Sequence, residues 1–146
     1  MFFRLVYSSA NVDRNETGSK LQQLREILAS AQKHNGENNV TGFLVFDGQT
    51  FLQILEGKRE DVISTYDRIK KDPRHKAINL MEMENISERQ FPNWQMGGSM
   101  RSLDAQEIYL SHGIGNPINP KSLTANKVVS LALDLQHFEQ QRLAKS

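Results

Sequence analysis

The chain has 146 residues and not one cysteine. That absence excludes disulfides, thiolate nucleophiles and thiolate zinc sites together. Four histidines are present, His34, His75, His112 and His137, but their spacing matches no metal-ligand pattern, so no metal is expected. Charge of one sign is also missing: 18 Lys and Arg stand against 17 Asp and Glu, a net charge of +1. Such a balance gives no bias toward nucleic acid or an acidic membrane. No stretch approaches the roughly 20 apolar residues of a membrane span. The opening MFFRLVYSS is broken by Arg4 and reads as a strand, not a signal peptide. The expectation is a cytoplasmic protein with no membrane and no nucleic-acid partner.

Catalytic motifs are scarce as well. There is no GxGxxG, and Gly97-Gly98 lacks the helix that a phosphate loop needs after it. Asp72-Pro-Arg-His75 offers a base and a cation without a nucleophile at fixed spacing. The carboxylates fall mostly on helix surfaces, so paired acid/base chemistry has no visible site, and no catalytic residue is assigned.

What the chain does contain is organised around residues 39–57, NVTGFLVFDGQTFLQILEG. These read as a hairpin: a strand over Val40–Phe46, a turn at Asp47-Gly48, and a strand over Thr50–Glu56. Alternation puts Phe51, Gln53 and Leu55 on one face, with Leu52, Ile54 and Glu56 on the other. Both faces are mostly apolar, so both need cover. Gln53 is then an amide in a dry strand, and leaving it unpartnered costs about 1–3 kcal/mol.

A first strand, Phe2–Ser8, places Phe3, Leu5 and Tyr7 on one face. After a polar loop at 11–18, Ser19 or Gly18 caps a helix with Leu21, Leu24, Ile27, Leu28 and Ala31 on its apolar stripe. That helix should end near Gly36, with Lys33 and His34 in its last turn. A second helix after Gly57 aligns Val62, Tyr66 and Ile69, and stops at Lys70, Lys71 and Pro73. Strands follow at Ala77–Glu84 and, after a Phe91-Pro92 turn, at about Trp94–Arg101. The order β-α-β-β-α-β-β is the ferredoxin-like pattern with one strand added, an α+β fold with two helices on one sheet face. Residues 102–121 are loop-rich with a short helix at Ala105–Leu110. A last helix over Ser122–Ala144 carries Val128, Leu131, Ala132, Leu135 and Phe138. It should cover the opposite sheet face, where Leu52 and Ile54 would otherwise be wet. In domain terms this is a core over 1–101 with a helical extension, 102–146, belonging to the same unit.

Read from periodicity alone, Tyr7 and Gln53 are a core phenol satisfied by a core amide, and His34 and Asn35 a helix end. Trp94 and Met96, on one face of the fifth strand, read as packing. The residues themselves carry more. RLVYSS at 4–9, KHNGENNVTGFLVFDGQTFLQILEG at 33–57, YDRIKKDPRH at 66–75 and FPNWQMG at 91–97 together resemble the BLUF family of flavin-binding blue-light sensors. The likeness runs in order over about residues 2–100 and is closest to the short members that lack an enzymatic output domain.

This resemblance implies noncovalent FAD, with FMN or riboflavin as substitutes, held between the first two helices. Tyr7 falls on the photoactive tyrosine and Gln53 on the glutamine that rearranges. Asn35 falls on the asparagine that binds the pyrimidine edge of the flavin, and His34 on a neighbouring ligand position. Ile27 and Leu28 would line the ring face, and Arg74 and His75 match a pair associated with the outer part of the cofactor. Trp94 and Met96 fall on a switchable segment that relays the signal through the fifth strand to the C-terminal helices. The implied function is light-driven electron and proton transfer from Tyr7, rearrangement of Gln53, and output to a protein partner without turnover. Self-association and an unidentified downstream signalling protein are expected partners. Two other readings share the fold. An acylphosphatase-like enzyme would need a glycine-bearing phosphate loop, where this chain offers only Arg14. A non-photoactive regulatory or dimeric domain would leave Gln53 purely structural.

Overall fold

The Asp47 carboxylate turns the chain at the centre of the fold: Oδ1 accepts the amides of Gln49 and Thr50 at 2.9 and 2.7 Å. Gly48 beside it has φ +96°, a left-handed conformation open to glycine at no steric cost. The hairpin it closes joins β2 (Thr41–Phe46) to β3 (Thr50–Gly57), both buried along their whole length. The computed structural model describes residues 2–12, 19–92 and 97–144. Around the hairpin it places β1 (Phe2–Asn11), β4 (His75–Ile86) and β5 (Gly97–Met100) in one sheet of order β4-β1-β3-β2-β5. All neighbours are antiparallel except β5, which joins β2 in parallel at the edge. This is the ferredoxin-like plan with an added strand.

Two helices, α1 (Lys20–Asn38) and α2 (Arg59–Lys70), cover one face. Leu24, Ile27, Val62 and Tyr66 bury there against Phe3, Leu5, Tyr7, Leu44, Phe46, Phe51 and Leu55. The other face carries Val6, Phe43, Val45, Leu52 and Ile54. It is covered by α3 (Gln106–Ser111) and α4 (Ala125–Ala144), through Tyr109, Val128, Leu131, Ala132 and Leu135. The expected placement of the last helix over Leu52 and Ile54 therefore holds. Asp47 contributes here too, since its Oδ2 accepts the Ile118 amide at 2.8 Å and ties the C-terminal segment to the hairpin.

Several boundaries differ from expectation for local reasons. Ser19 does cap α1, accepting the Gln22 amide at 3.1 Å. The helix does not stop at Gly36, however. It runs to Asn38 and is closed by Asn39, at φ 57°, a left-handed conformation that asparagine tolerates. Lys33 and His34 are consequently not in the last turn. Strand β4 is longer than the Ala77–Glu84 alternation indicates, because residues at both ends still pair with β1. The last helix begins at Ala125, not Ser122: Pro120–Ser122 is a separate 3-10 turn, and Thr124 Oγ1 accepts the Lys127 amide at 3.2 Å. Of the expected fifth strand, Trp94 to Met96 lie outside the described residues. Among the described residues, no helix is long and apolar enough to cross a membrane.

Two buried titratable side chains lock the sheet. Glu56 is fully buried on the α4 side of β3, where burial raises its pKa above the ordinary carboxylate value. Opposing that cost, its Oε1 accepts the amides of Gln90 and Phe91 at 3.0 and 2.8 Å. Around this carboxylate, Arg89 donates to Thr41 Oγ1, Glu56 O and Asn39 O, and Arg4 donates to Glu82, Glu84 and Gln90. Phe91, thus anchored, stacks on Phe43 with centroids 5.9 Å apart. At the far end of the sheet, His75 Nδ1 lies 2.8 Å from Ser9 Oγ and its ring tilts against Phe51 at 4.6 Å. Burial lowers its pKa from 6.5 to about 4, so the imidazole is neutral at pH 7.

Each lock has a measurable consequence. Glu56→Leu strands the buried Phe91 amide and removes the acceptor of the Gln90 amide, and should lose about 2–4 kcal/mol in urea unfolding, whereas Glu56→Gln, which keeps an acceptor, should lose much less. The unfolded chain protonates His75 near its ordinary value and the folded protein only near 4. Its contribution is therefore whole above pH 6.5 and drains away as pH falls toward 4, by about 3 kcal/mol in all. The stability difference between wild type and His75→Gln should shrink by that amount between pH 7 and pH 4. A constant difference across that range would show that His75 does not titrate this way.

Candidate functional site

Register alone sets Tyr7 of β1 directly opposite Gln53 of β3, on the sheet face under α1 and α2. Both are buried, and the Tyr7 hydroxyl donates a hydrogen bond to Gln53 Oε1. This answers the question raised by a dry mid-strand amide: its partner is the phenol. Burial pushes the Tyr7 hydroxyl well above the ordinary phenol range, and Tyr66 and Asp72 add to that. The Tyr66 ring sits 5.4 Å away, tilted by 51°, and closes the α2 side. Tyr7 is thus a neutral phenol whose proton points at a single acceptor. With its oxygen engaged, the Gln53 amide carries its NH2 donor on the opposite branch.

Gln53 borders a cavity of about 510 Å³ between α1, the sheet and the end of α2. That volume falls within the roughly 300–1,000 Å³ typical of small-molecule sites. Helix α1 contributes Ile27, Ala31, His34 and Asn35 to its wall; Ile69, Pro73 and Arg74 come from α2 and the turn beyond it, and His75 from the start of β4. The continuation of α1 past Gly36 is what makes this possible. Asn35 sits inside the helix, 1% exposed, while its main-chain oxygen accepts the Val40 amide at 3.1 Å. His34 is half-buried beside it.

The expected site residues are therefore brought together with three exceptions. Leu28 does not border the cavity; its branched end lies over Gly98 of β5. Trp94 and Met96 fall outside the described residues. Arg74 and His75 do border the cavity but are not a pair of surface cations. His75 is neutral and bonded to Ser9, and the Arg74 guanidinium is engaged by Asp72, with Nη2 2.5 Å from Oδ2. Burial works against the Asp72 charge, but the hydrogen bonds from Arg74 outweigh it and hold the carboxyl below its ordinary pKa. Arg68 and Lys71 also border the cavity, although neither stands out in sequence as a site residue. Their signal was faint, since basic residues closing a helix are ordinary dipole partners.

The residues present fit a flavin. Ile27, Ala31, Ile69 and Pro73 offer apolar surface for a flat ring system. Asn35 and Gln53 provide amides able to match a ring edge that both donates and accepts. Arg68, Lys71 and Arg74 are suited to the phosphates of a dinucleotide. Among the described residues no group of three His, Asp or Glu side chains is arranged to hold a metal ion.

Comparison with known proteins points the same way. The family model for BLUF, sensors of blue-light using FAD, matches residues 2–97. The blue light- and temperature-regulated antirepressor BluF of Escherichia coli is 38% identical over 83 residues, which are 57% of this chain and 19% of that protein. The photoactivated adenylate cyclase subunit beta of Euglena gracilis is 34% identical over 70 residues, 48% of this chain and 8% of that protein. The chain thus spans only a small part of the length of these curated relatives. Among solved structures, that of the BlsA photo-activated state superposes with a TM-score of 0.79 at 32% identity, covering 92% of this chain and 94% of that one. The BlsA ground state gives a TM-score of 0.76 at 31% identity, covering 91% and 88%. The matching model, the shared fold and a cavity suited to a flavin agree: this chain belongs to the BLUF family, the sensors of blue light that use FAD.

Proposed function

We propose that the chain is a blue-light photoreceptor in which Tyr7 and Gln53 form the photoactive pair. In this reading Asn35, His34 and Ile27 hold the flavin ring while Arg74 and His75 border the outer part of the cofactor. The observation that carries it is the buried bond from the Tyr7 hydroxyl to Gln53, whose amide also borders the cavity. When bound, the flavin supplies a blue-absorbing chromophore whose excited state accepts an electron. Tyr7 is the donor: its buried hydroxyl has Gln53 as acceptor, so electron loss and proton release are coupled at one atom. Gln53 responds because a carboxamide can exchange its donor and acceptor ends, by rotation or by tautomerisation, once the phenol has given up and regained its proton. The outcome is a shifted population between two hydrogen-bond arrangements, with no substrate consumed and no enzymatic turnover by this chain.

Trp94 and Met96 precede β5 directly, and we place them in the relay from this cluster to β5 and the C-terminal helices. Output then passes to another protein, and self-association is part of the reading. The BLUF-bearing relatives named as adenylate cyclase subunits and as an antirepressor support an output beyond the sensor domain.

The purified protein should be yellow, and blue light should move its visible absorption slightly to the red, with reversal in darkness. Tyr7→Phe should retain flavin and lose the shift entirely. A colourless protein, or a shift that survives Tyr7→Phe, would remove the basis for this assignment. Size-exclusion chromatography with light scattering, run in darkness and under blue light, should give more than one protomer in at least one state. A monomer in both would refute the self-association.

A further inference from the structure

Strand β5 is four residues long, lies at the sheet edge and is held by one neighbouring strand, β2. Alternation turns Gly98 toward the α1 side, opposite Leu44, and Ser99 toward the α4 side, opposite Val45. On the α1 side the approach is unusually close. A Cβ at position 98 would sit 2.8 and 2.9 Å from the two terminal carbons of Leu28 and 3.3 Å from its Cγ, so only glycine fits without displacing that side chain. Leu28 follows Ile27, which borders the cavity. Consecutive helical side chains diverge by about 100°, so one turn of α1 presents one residue to the cavity and the next to β5.

On the α4 side, Ser99 is 2% exposed and its hydroxyl donates to Glu139 Oε1 at 3.1 Å. Just past the strand, the Arg101 guanidinium lies over the buried Tyr109 ring at 4.1 Å and donates to the main-chain oxygen of Gly115. The short strand is therefore keyed on one side to the helix that walls the cavity and on the other to the C-terminal helices.

We infer that the Leu28–Gly98 contact is a steric coupler: β5 takes its position from α1 through Gly98 and passes it to α4 through Ser99 and Glu139. The inference rests on the photoreceptor reading and adds a route to α4 that begins at the cavity wall. Packed side chains resist compression, so a displacement of α1 at Ile27 and Leu28 is shared with β5 through this contact. Ser99 then carries the movement across the sheet edge by a directional bond to Glu139. Gly98 is a positioning residue in this scheme and does not border the cavity.

The test is hydrogen exchange of the α4 amides, read by mass spectrometry on the flavin-loaded full chain, alongside the visible spectrum. Gly98→Ala should keep the light-induced red shift yet raise dark-state exchange around Glu139 by about threefold or more. Its difference in α4 exchange between light and dark should fall to less than about half that of wild type. Adding Leu28→Ala to Gly98→Ala should restore the wild-type dark exchange, because the removed terminal carbons make room for the new methyl. Leu28→Ala alone, which takes away the stop instead of crowding it, should also raise exchange and serves if Gly98→Ala does not fold. Wild-type α4 exchange in both single variants, or a double variant no closer to wild type than either, would overturn the coupler. Loss of the red shift in wild type would instead count against the photoreceptor reading, and the dark-state comparison would still decide the contact.

Discussion

One buried hydrogen bond, from the Tyr7 hydroxyl to the Gln53 amide, constrains much of what surrounds it. Neither group has a wet alternative, so the two central strands must keep the register that sets them opposite each other. A slip of one residue in either strand would turn that strand's polar side chain to the face of Val6, Leu52 and Ile54 and leave both groups without each other. The same register fixes the cavity floor. Gln53 belongs at once to the hydrogen-bonded interior and to the cavity lining, so a ligand in contact with it is in contact with the phenol's only described acceptor.

The two faces of the sheet carry different duties. Under α1 and α2 the packing is interrupted by a cavity bordered by amides and cations. Under α3 and α4 it is apolar, with fully buried aliphatic side chains such as Leu52, Ile54 and Leu131 beside Phe43, Phe91 and Tyr109. The polar residues buried on that second side act as fasteners: Glu56 fixes the chain at Gln90 and Phe91, and Ser99 reaches Glu139. The cavity thus lies on the same face as Tyr7 and Gln53, and the opposite face is closed by the C-terminal helices.

The elements most legible in sequence were those whose pattern has one physical solution. The hairpin followed from a turn signal between two alternating runs, and the position of the last helix followed from the need to cover Leu52 and Ile54. Strand adjacency alone is enough to pair Tyr7 with Gln53. Other features depend on partners distant in sequence and left no local trace. Propensity alone ends α1 at Gly36, but Asn39 accepts the left-handed turn and the helix continues until Asn35 is buried. Nothing local in Asp72-Pro-Arg-His75 shows that His75 is buried, yet Ser9, 66 residues earlier, and Phe51 make it a neutral core side chain. Leu28 shares its apolar stripe with Ile27, and only the glycine at 98 draws it to a different neighbour. Glu56 looks like the polar end of a strand, because its amide partners lie 34 and 35 residues downstream.

Asp47 joins parts of the chain that periodicity treats as separate. One carboxylate oxygen shapes the hairpin tip and the other takes the Ile118 amide, 71 residues on. The tip that sets the register of the central strands is thereby also a socket for whatever follows residue 101. Grafting a different effector onto this sensor would have to bring its own N–H donor to that socket. A graft without one would leave Asp47 Oδ2 without the amide that ties the C-terminal segment to the hairpin.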